Sequence, residues 1–198
     1  MLASSSPRRI SLLSKTKIEF EVVSPDSWIE EEFHKVGNPE EVAMKIAKAK
    51  ALSVFEIFPE SVVLAADTIV VKDEKIIGKP KDLEDAFKII SALSGKQHLV
   101  ITGFAVISSK YQKVYKVVTK VKFRKLNPIE ISEYIAEDES LDKAGAYAIQ
   151  GKGCFLVDKI NGSYTNVIGF PVKEIIKVLK EFGIIQNLDK VESPNALS

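Results

Sequence analysis

The chain has 198 residues, 45% of them hydrophobic, enough to bury a core as one large domain or two modest lobes. Lys plus Arg number 28 against 27 Asp plus Glu, so the formal charge of +1 excludes a global pull toward nucleic acid or anionic membrane, and any anion site must be local. A single cysteine, Cys154, excludes an internal disulfide or multi-cysteine metal site, and the two histidines, His34 and His98, are too few and too separated for a His-based cage.

No apolar run approaches a membrane span, and arginine arrives too early for a signal peptide, so a soluble cytoplasmic protein is expected, with no membrane or nucleic-acid polymer as partner. At the start, Met1 to Ala3 leaves room only for a very short strand, and in SSSPRR the proline, Pro7, sits where a helix begins, with Ile10, Leu12 and Leu13 as its apolar positions. The serines, Ser4 among them, then fall at a helix N-terminus, where free backbone N–H groups favour an anion and the forked donors of Arg8 and Arg9 match phosphate. An ordinary serine cap with two solvated arginines accounts for the same pattern equally well.

Next, SWIEEEFHK supplies Glu30, Glu31 and Glu32, either a solvated charge run or the source of one carboxylate for a metal. PEEVAMKIAKAKALSVFEIF predicts a helix on which Lys50 falls on the inward face with Ala43, Ile46, Val54 and Ile57, while Lys45 and Lys48 fall on the polar arc. An inward lysine either snorkels to a rim or points its ammonium at an anion in a cleft. ESVVLAADTIVV predicts a strand buried on both faces and interrupted by Asp67, whose burial demands a cation, a metal or a strand-end position facing a cleft. Thr68 points to the opposite face if that strand continues, and into the same cleft if it ends. In IIGKPKD, Gly78 and Pro80 hold Lys79 on a rigid turn.

KDLEDAFKIISALSG predicts a helix, and HLVITGFAVISS with YKVVTKVKFRKL predicts a hairpin around 97–125 whose second strand, alternating with lysines, has one wet face. NPIEISEYIAED and FPVKEIIKVLKEFG predict two more helices. Gly95 and Gly183 suit C-caps, and three helices have Pro near their start. Between them LDKAGAYAIQGKGCFLV gathers Gly145, Gly151 and Gly153 around Gln150, a side chain able to read the edge of a base, and INGSYTNVIGFP adds Gly162 and Gly169 in a strand-and-turn context. After Ile185 the apolar periodicity is lost, so 186–198 is expected to be a flexible tail behind a single domain over 1–185. Strands and helices interleave, so the class is α/β with a mixed sheet.

Cations for a polyphosphate and carboxylates for a divalent metal are the components of metal-assisted phosphoanhydride chemistry. The sequence lacks the GxxxxGK[ST] loop of P-loop NTPases, the DxDxT of aspartyl-phosphate enzymes and a cysteine placed five residues before an arginine. Composition and spacing alone therefore stop at a phosphate-handling α/β enzyme.

LASSSPRR, ADTIVV followed by GKP, SGKQHLVITG, DKAGAYAIQG and GSYTNVIGFP resemble, in order and approximate spacing, the blocks of the Maf family of nucleoside triphosphate pyrophosphatases, over about 2–182. The resemblance implies a two-lobed fold of the inosine-triphosphatase type around a long mixed sheet, with a nucleotide cleft between lobes, and commonly a homodimer. It implies hydrolysis of a nucleoside triphosphate to the monophosphate and pyrophosphate, dependent on Mg²⁺ or Mn²⁺. Asp67 matches the general base and a metal contact, and Glu31 the metal-side glutamate. Arg8, Thr68 and Gln150 match positions of substrate choice, and Ser4, Arg9, Lys50 and Lys79 match polar positions around the phosphates. IQG with DKAGAY resembles the branch acting on dTTP and UTP, which includes members described as septum-formation proteins. Alternatives are a pyrophosphatase for methylated GTP and a non-catalytic nucleotide-binding regulator of cell division. Ala148 stands where the family often has glycine, a change expected to narrow the base pocket.

Overall fold

The structure is a computed structural model that describes residues 1–26, 29, 37–136 and 140–185. Glu30, Glu31, Glu32 and the predicted tail 186–198 lie outside the described residues. In chain order the elements are β1 (Leu2–Ala3), α1 (Pro7–Ser14), β2 (Val22–Val23), α2 (Pro39–Ile57), β3 (Val63–Lys72), β4 (Lys75–Ile77), α3 (Leu83–Leu93), β5 (Gln97–Ile107), β6 (Gln112–Phe123), α4 (Pro128–Ile135), β7 (Val157–Asn161), α5 (Tyr164–Ile168) and α6 (Val172–Glu181). Two short 3-10 turns, Ala144–Ala146 and Gly151–Leu156, precede β7.

The strands form one mixed sheet in the order β2-β1-β3-β5-β6-β7, with β4 paired to β3. β1 runs parallel to β2 and β3, and the long β3, β5 and β6 pair antiparallel, the latter two as the expected hairpin. On β6 the lysines at 116, 120 and 122 are exposed while Thr119, Val121 and Phe123 are buried, the alternation of a strand with one wet face.

Alternation along β3 sorts the core. Ala65, Ile69 and Val71 face α2, whose Ala43, Ala47 and Ala51 bring its backbone close to the sheet. Leu64 and Ala66 face the other side, where α1 and α6 contribute Leu12, Leu13, Ile175 and Val178 to a first lobe. Val70 joins a second lobe on that same side, built with Ile90 and Leu93 of α3 and Ile131 and Ile135 of α4. The lobes thus part at the level of Thr68.

The inward face of α2 is buried as expected through Lys50 and Val54, but Ile57, grouped with them by periodicity, is 66% exposed. It is the last residue of the helix, before the cap at Phe58, so it lies past the stretch that the sheet covers. INGSYTNVIGFP also departs from the strand-and-turn expectation, because Ser163 caps α5 by accepting a hydrogen bond from the Asn166 amide.

Gly103 lies opposite Asp67 in the β3–β5 register, and a Cβ there would sit 2.3 Å from the Ala43 carbonyl oxygen. Only glycine lets α2 approach this closely. Gly103→Ala is expected to lower the unfolding free energy by about 3 kcal/mol in urea titration, because two backbones would have to separate; a wild-type midpoint would show that α2 is free to shift.

Candidate active site

The edge of β3 opposite β5 is shared by two short strands. β1 covers Leu64 and Ala65, and β4 covers Val70 to Lys72, so positions 66–69 have no strand partner on that side among the described residues. Both flanking strands run out at this gap, β1 into SSSPRR and β4 into Gly78, Lys79 and Pro80. The result is a cleft of ≈1010 Å³, at the upper end of the size for small-molecule sites. The strand continues through Asp67 and Thr68, so the two side chains leave on opposite faces, yet both line the cleft because the sheet is open between them.

Asp67 takes the α2 side. Its Oδ1 accepts a hydrogen bond from Lys50 Nζ at 2.7 Å, and the residues are 5% and 4% exposed. Lys50 therefore does not snorkel outward; its ammonium meets the carboxylate that interrupts β3. Asp67 Oδ2 is buried with no hydrogen-bond partner among the described residues. A bare carboxylate oxygen at the floor of a cleft suits a hard cation or a water molecule. No group of three His, Cys, Asp or Glu side chains able to hold a metal assembles among the described residues. Divalent magnesium is commonly held by one or two carboxylates, with the remaining ligands from water and substrate phosphates, so the Asp67 donor fits such an ion.

Thr68 takes the other side. Its hydroxyl meets Thr102 Oγ1 at 2.9 Å and donates to the Gly169 carbonyl at 3.2 Å. Arg9 Nε donates to that same carbonyl at 3.0 Å, and Arg9 Nη2 lies 3.4 Å from Thr68 Oγ1. Gly169 can present its carbonyl in this way because it caps α5 in the left-handed region, at φ 113°.

Ser6, the N-cap of α1, makes no side-chain cap hydrogen bond, and Ser4 Oγ accepts instead from the Ser6 amide. The first-turn N–H groups of α1 thus open onto the cleft beside Arg8. Lys79 is exposed at the rim, where the Gly78 carbonyl accepts from the Gly145 amide at 3.0 Å. Gln150 is exposed and lines the cleft. Ser4, Arg8, Arg9, Lys50, Asp67, Thr68, Lys79 and Gln150 therefore share one cavity, while Glu31, with Glu30 and Glu32 beside it, lies outside the described residues.

Four further cleft residues escaped the sequence: Asp26, Asp142, Lys143 and Tyr147. Asp142 and Lys143, which form an ion pair, and Tyr147 all stand in LDKAGAY, whose local sequence signal is its glycine. Tyr147 Oη lies 2.8 Å from Nε2 of His98, which is 2% exposed. Burial, with a smaller contribution from the Lys72 charge, pushes the His98 imidazole down to about 4, and burial pushes the Tyr147 phenol upward.

A split α/β sheet with a buried carboxylate under a ring of cations defines a phosphate-handling enzyme fold. The fold is similar to the solved structure of the Staphylococcus aureus Ham1 protein, with a TM-score of 0.50 and 14% identity over 92% of this chain and 96% of that one. The chain belongs to the Maf family: the family described as Maf-like protein matches residues 1–182. It is 47% identical to the dTTP/UTP pyrophosphatase of Pyrococcus furiosus, covering 91% of this chain and 93% of the relative. The dTTP/UTP pyrophosphatases of Aquifex aeolicus and a Geobacillus strain are 44% and 42% identical, each match covering more than nine-tenths of both chains.

Two stability measurements probe this site. Lys50→Met leaves Asp67 buried against a thioether and should lower the unfolding free energy by about 3 kcal/mol, most of it recovered in the Lys50→Met/Asp67→Asn double variant; equal losses in both would mean that Asp67 is stabilised by other groups. For His98, the folded-state value lies below the ordinary 6.5, so the unfolded chain takes up the proton first. Its neutral state therefore supports the fold above about pH 6.5, and that support falls away as the pH drops toward 4. Across that window the wild type should lose about 2 kcal/mol more than His98→Gln, read by urea unfolding at each pH; parallel curves would contradict the assignment.

Proposed function

We propose that the protein hydrolyses dTTP and UTP to the nucleoside monophosphate and pyrophosphate. The observation that carries the proposal is Asp67: buried, oriented through Oδ1 by Lys50, and left with Oδ2 bare inside a cation-rimmed cleft. The names of the relatives from Pyrococcus, Aquifex and Geobacillus support the choice of nucleotide.

In this mechanism the triphosphate lies along the α1 N-terminus, with Arg8, Arg9, Lys79 and Lys143 offsetting its charge. Lys50 holds the Asp67 carboxylate in one orientation, so that Oδ2 accepts a proton from an attacking water. The water oxygen forms a bond to the α phosphorus, the bond from that phosphorus to its bridging oxygen breaks, and the electron pair leaves on pyrophosphate. Asp67, with Glu31 in the role carried from the family resemblance, would hold a divalent cation, Mg²⁺ or Mn²⁺, which when bound polarises water and offsets phosphate charge. Gln150 pairs with the pyrimidine edge, a contact whose loss strands polar groups and so discriminates between bases. The resemblance also carries a cytoplasmic homodimer into the proposal; among the described residues no helix is long and apolar enough to cross a membrane.

The test is a panel of canonical NTPs and dNTPs with Mg²⁺ or Mn²⁺, products resolved by ion-exchange chromatography. Monophosphate and pyrophosphate are expected from dTTP and UTP. Asp67→Asn should reduce kcat by about 10³-fold while nucleotide still binds, and near-normal turnover would remove Asp67 as the base. Gln150→Ala should narrow the preference for dTTP over CTP about tenfold, and an unchanged ratio would move base recognition elsewhere in the cleft.

A further inference from the structure

We propose that His98 is a positioning residue for nucleotide recognition: through its hydrogen bond to Tyr147 it fixes the loop 147–150 that carries Gln150 into the cleft. The proposal rests on the function above and concerns how the same site selects its substrate.

The loop is held at successive residues from different directions. Tyr147 inserts into the second lobe, where its ring meets His98 and Phe123 edge-on at centroid separations of 5.5 and 4.8 Å. Its own face borders the cleft, at 6% exposure. The Ala148 amide donates to Tyr134 Oη at 3.1 Å, and the Ala148 carbonyl lies 1.8 Å from where a Cβ on Gly153 would be, so glycine is obligatory there. Ile149 then inserts into the first lobe. The next residue, Gln150, is exposed at the cleft. The loop therefore ties the two lobes together, and Gln150 follows directly from the residues that tie them.

The backbone entering this loop is held in a costly conformation. Gly145 and Ala146 are both left-handed, at φ 74° and 59°, and a non-glycine residue keeps that conformation only where its surroundings over-determine it. Among the described residues, the polar side chain in contact with the Tyr147 hydroxyl is His98, on β5 in the sheet below. A phenylalanine pair at 98 and 147 would pack the same apolar volume but set no orientation. The polar pairing at this buried spot therefore acts through geometry, which is what base discrimination demands.

The test compares the wild type with Tyr147→Phe, His98→Phe, His98→Gln and the Tyr147→Phe/His98→Phe double variant, each checked for cooperative thermal unfolding. For dTTP, KM should rise about tenfold in Tyr147→Phe and His98→Phe with kcat within about twofold, and the dTTP to CTP preference should narrow in parallel. The double variant should do no more than either single one, because one hydrogen bond is lost in all three. His98→Gln, whose amide reproduces the position of Nε2, should restore KM to near the wild-type value. Wild-type KM and preference in Tyr147→Phe and His98→Phe would overturn the proposal, as would a fall in kcat alone or additive effects in the double variant. If the wild type itself turns over no dTTP, the function proposed above fails, and the loop is then judged by calorimetric binding of dTMP: the same pattern in Kd supports the positioning role, and equal Kd values in all variants overturn it.

Discussion

One buried ion pair organises this protein. Asp67 sits in the middle of a strand that is buried along most of its length, and an unpaired carboxylate there would cost several kcal/mol. Lys50 answers it from α2 at 2.7 Å, and that reach is possible only because alanines on α2 and Gly103 on β5 let helix and sheet approach. Such a pair contributes little net stability compared with an apolar substitute of the same volume. Its consequence is functional: one carboxylate oxygen is fixed, and the other lies at the cleft without a partner among the described residues.

The cleft itself follows from an incomplete sheet edge. Two strands too short to meet, β1 and β4, leave positions 66–69 uncovered, and on the face opposite α2 the apolar core divides at the same level. A polar seam runs along that division, from Arg9 and Thr68 through Thr102 to Asn166, whose Nδ2 donates to the Val100 carbonyl and to Thr119 Oγ1. The seam seats α5, and α5 presents the Gly169 carbonyl that holds Arg9. GSYTNVIGFP thus supports the Arg9 end of the cleft, while DKAGAYAIQG supports the Gln150 end.

The long elements and most charged site residues were legible in the sequence, since the pattern located each helix of eight or more residues among the described residues, and Asp67, Lys50 and SSSPRR each broke a local pattern. What could not be read was pairing. An anion was one of two destinations open to Lys50 and a cation one of three open to Asp67, but nothing in a one-dimensional pattern says that they meet each other across two elements. The double role of the β3 edge depended on β4, at Lys75–Ile77 too short to show a period, and α5 is a single capped turn that resembles a loop in composition. Neither His98 nor Tyr147 could be placed at the site from the sequence, because a hydrogen bond between residues 49 apart leaves no local trace.

The central claim is that this cleft delivers water to the α phosphorus of a pyrimidine triphosphate. The most direct measurement is hydrolysis of dTTP in ¹⁸O-enriched water, with mass spectrometry of both products after a single turnover. The account predicts one labelled oxygen in dTMP and none in pyrophosphate. Label in the pyrophosphate, or release of dTDP with labelled phosphate, would place the attack at another phosphorus and contradict it.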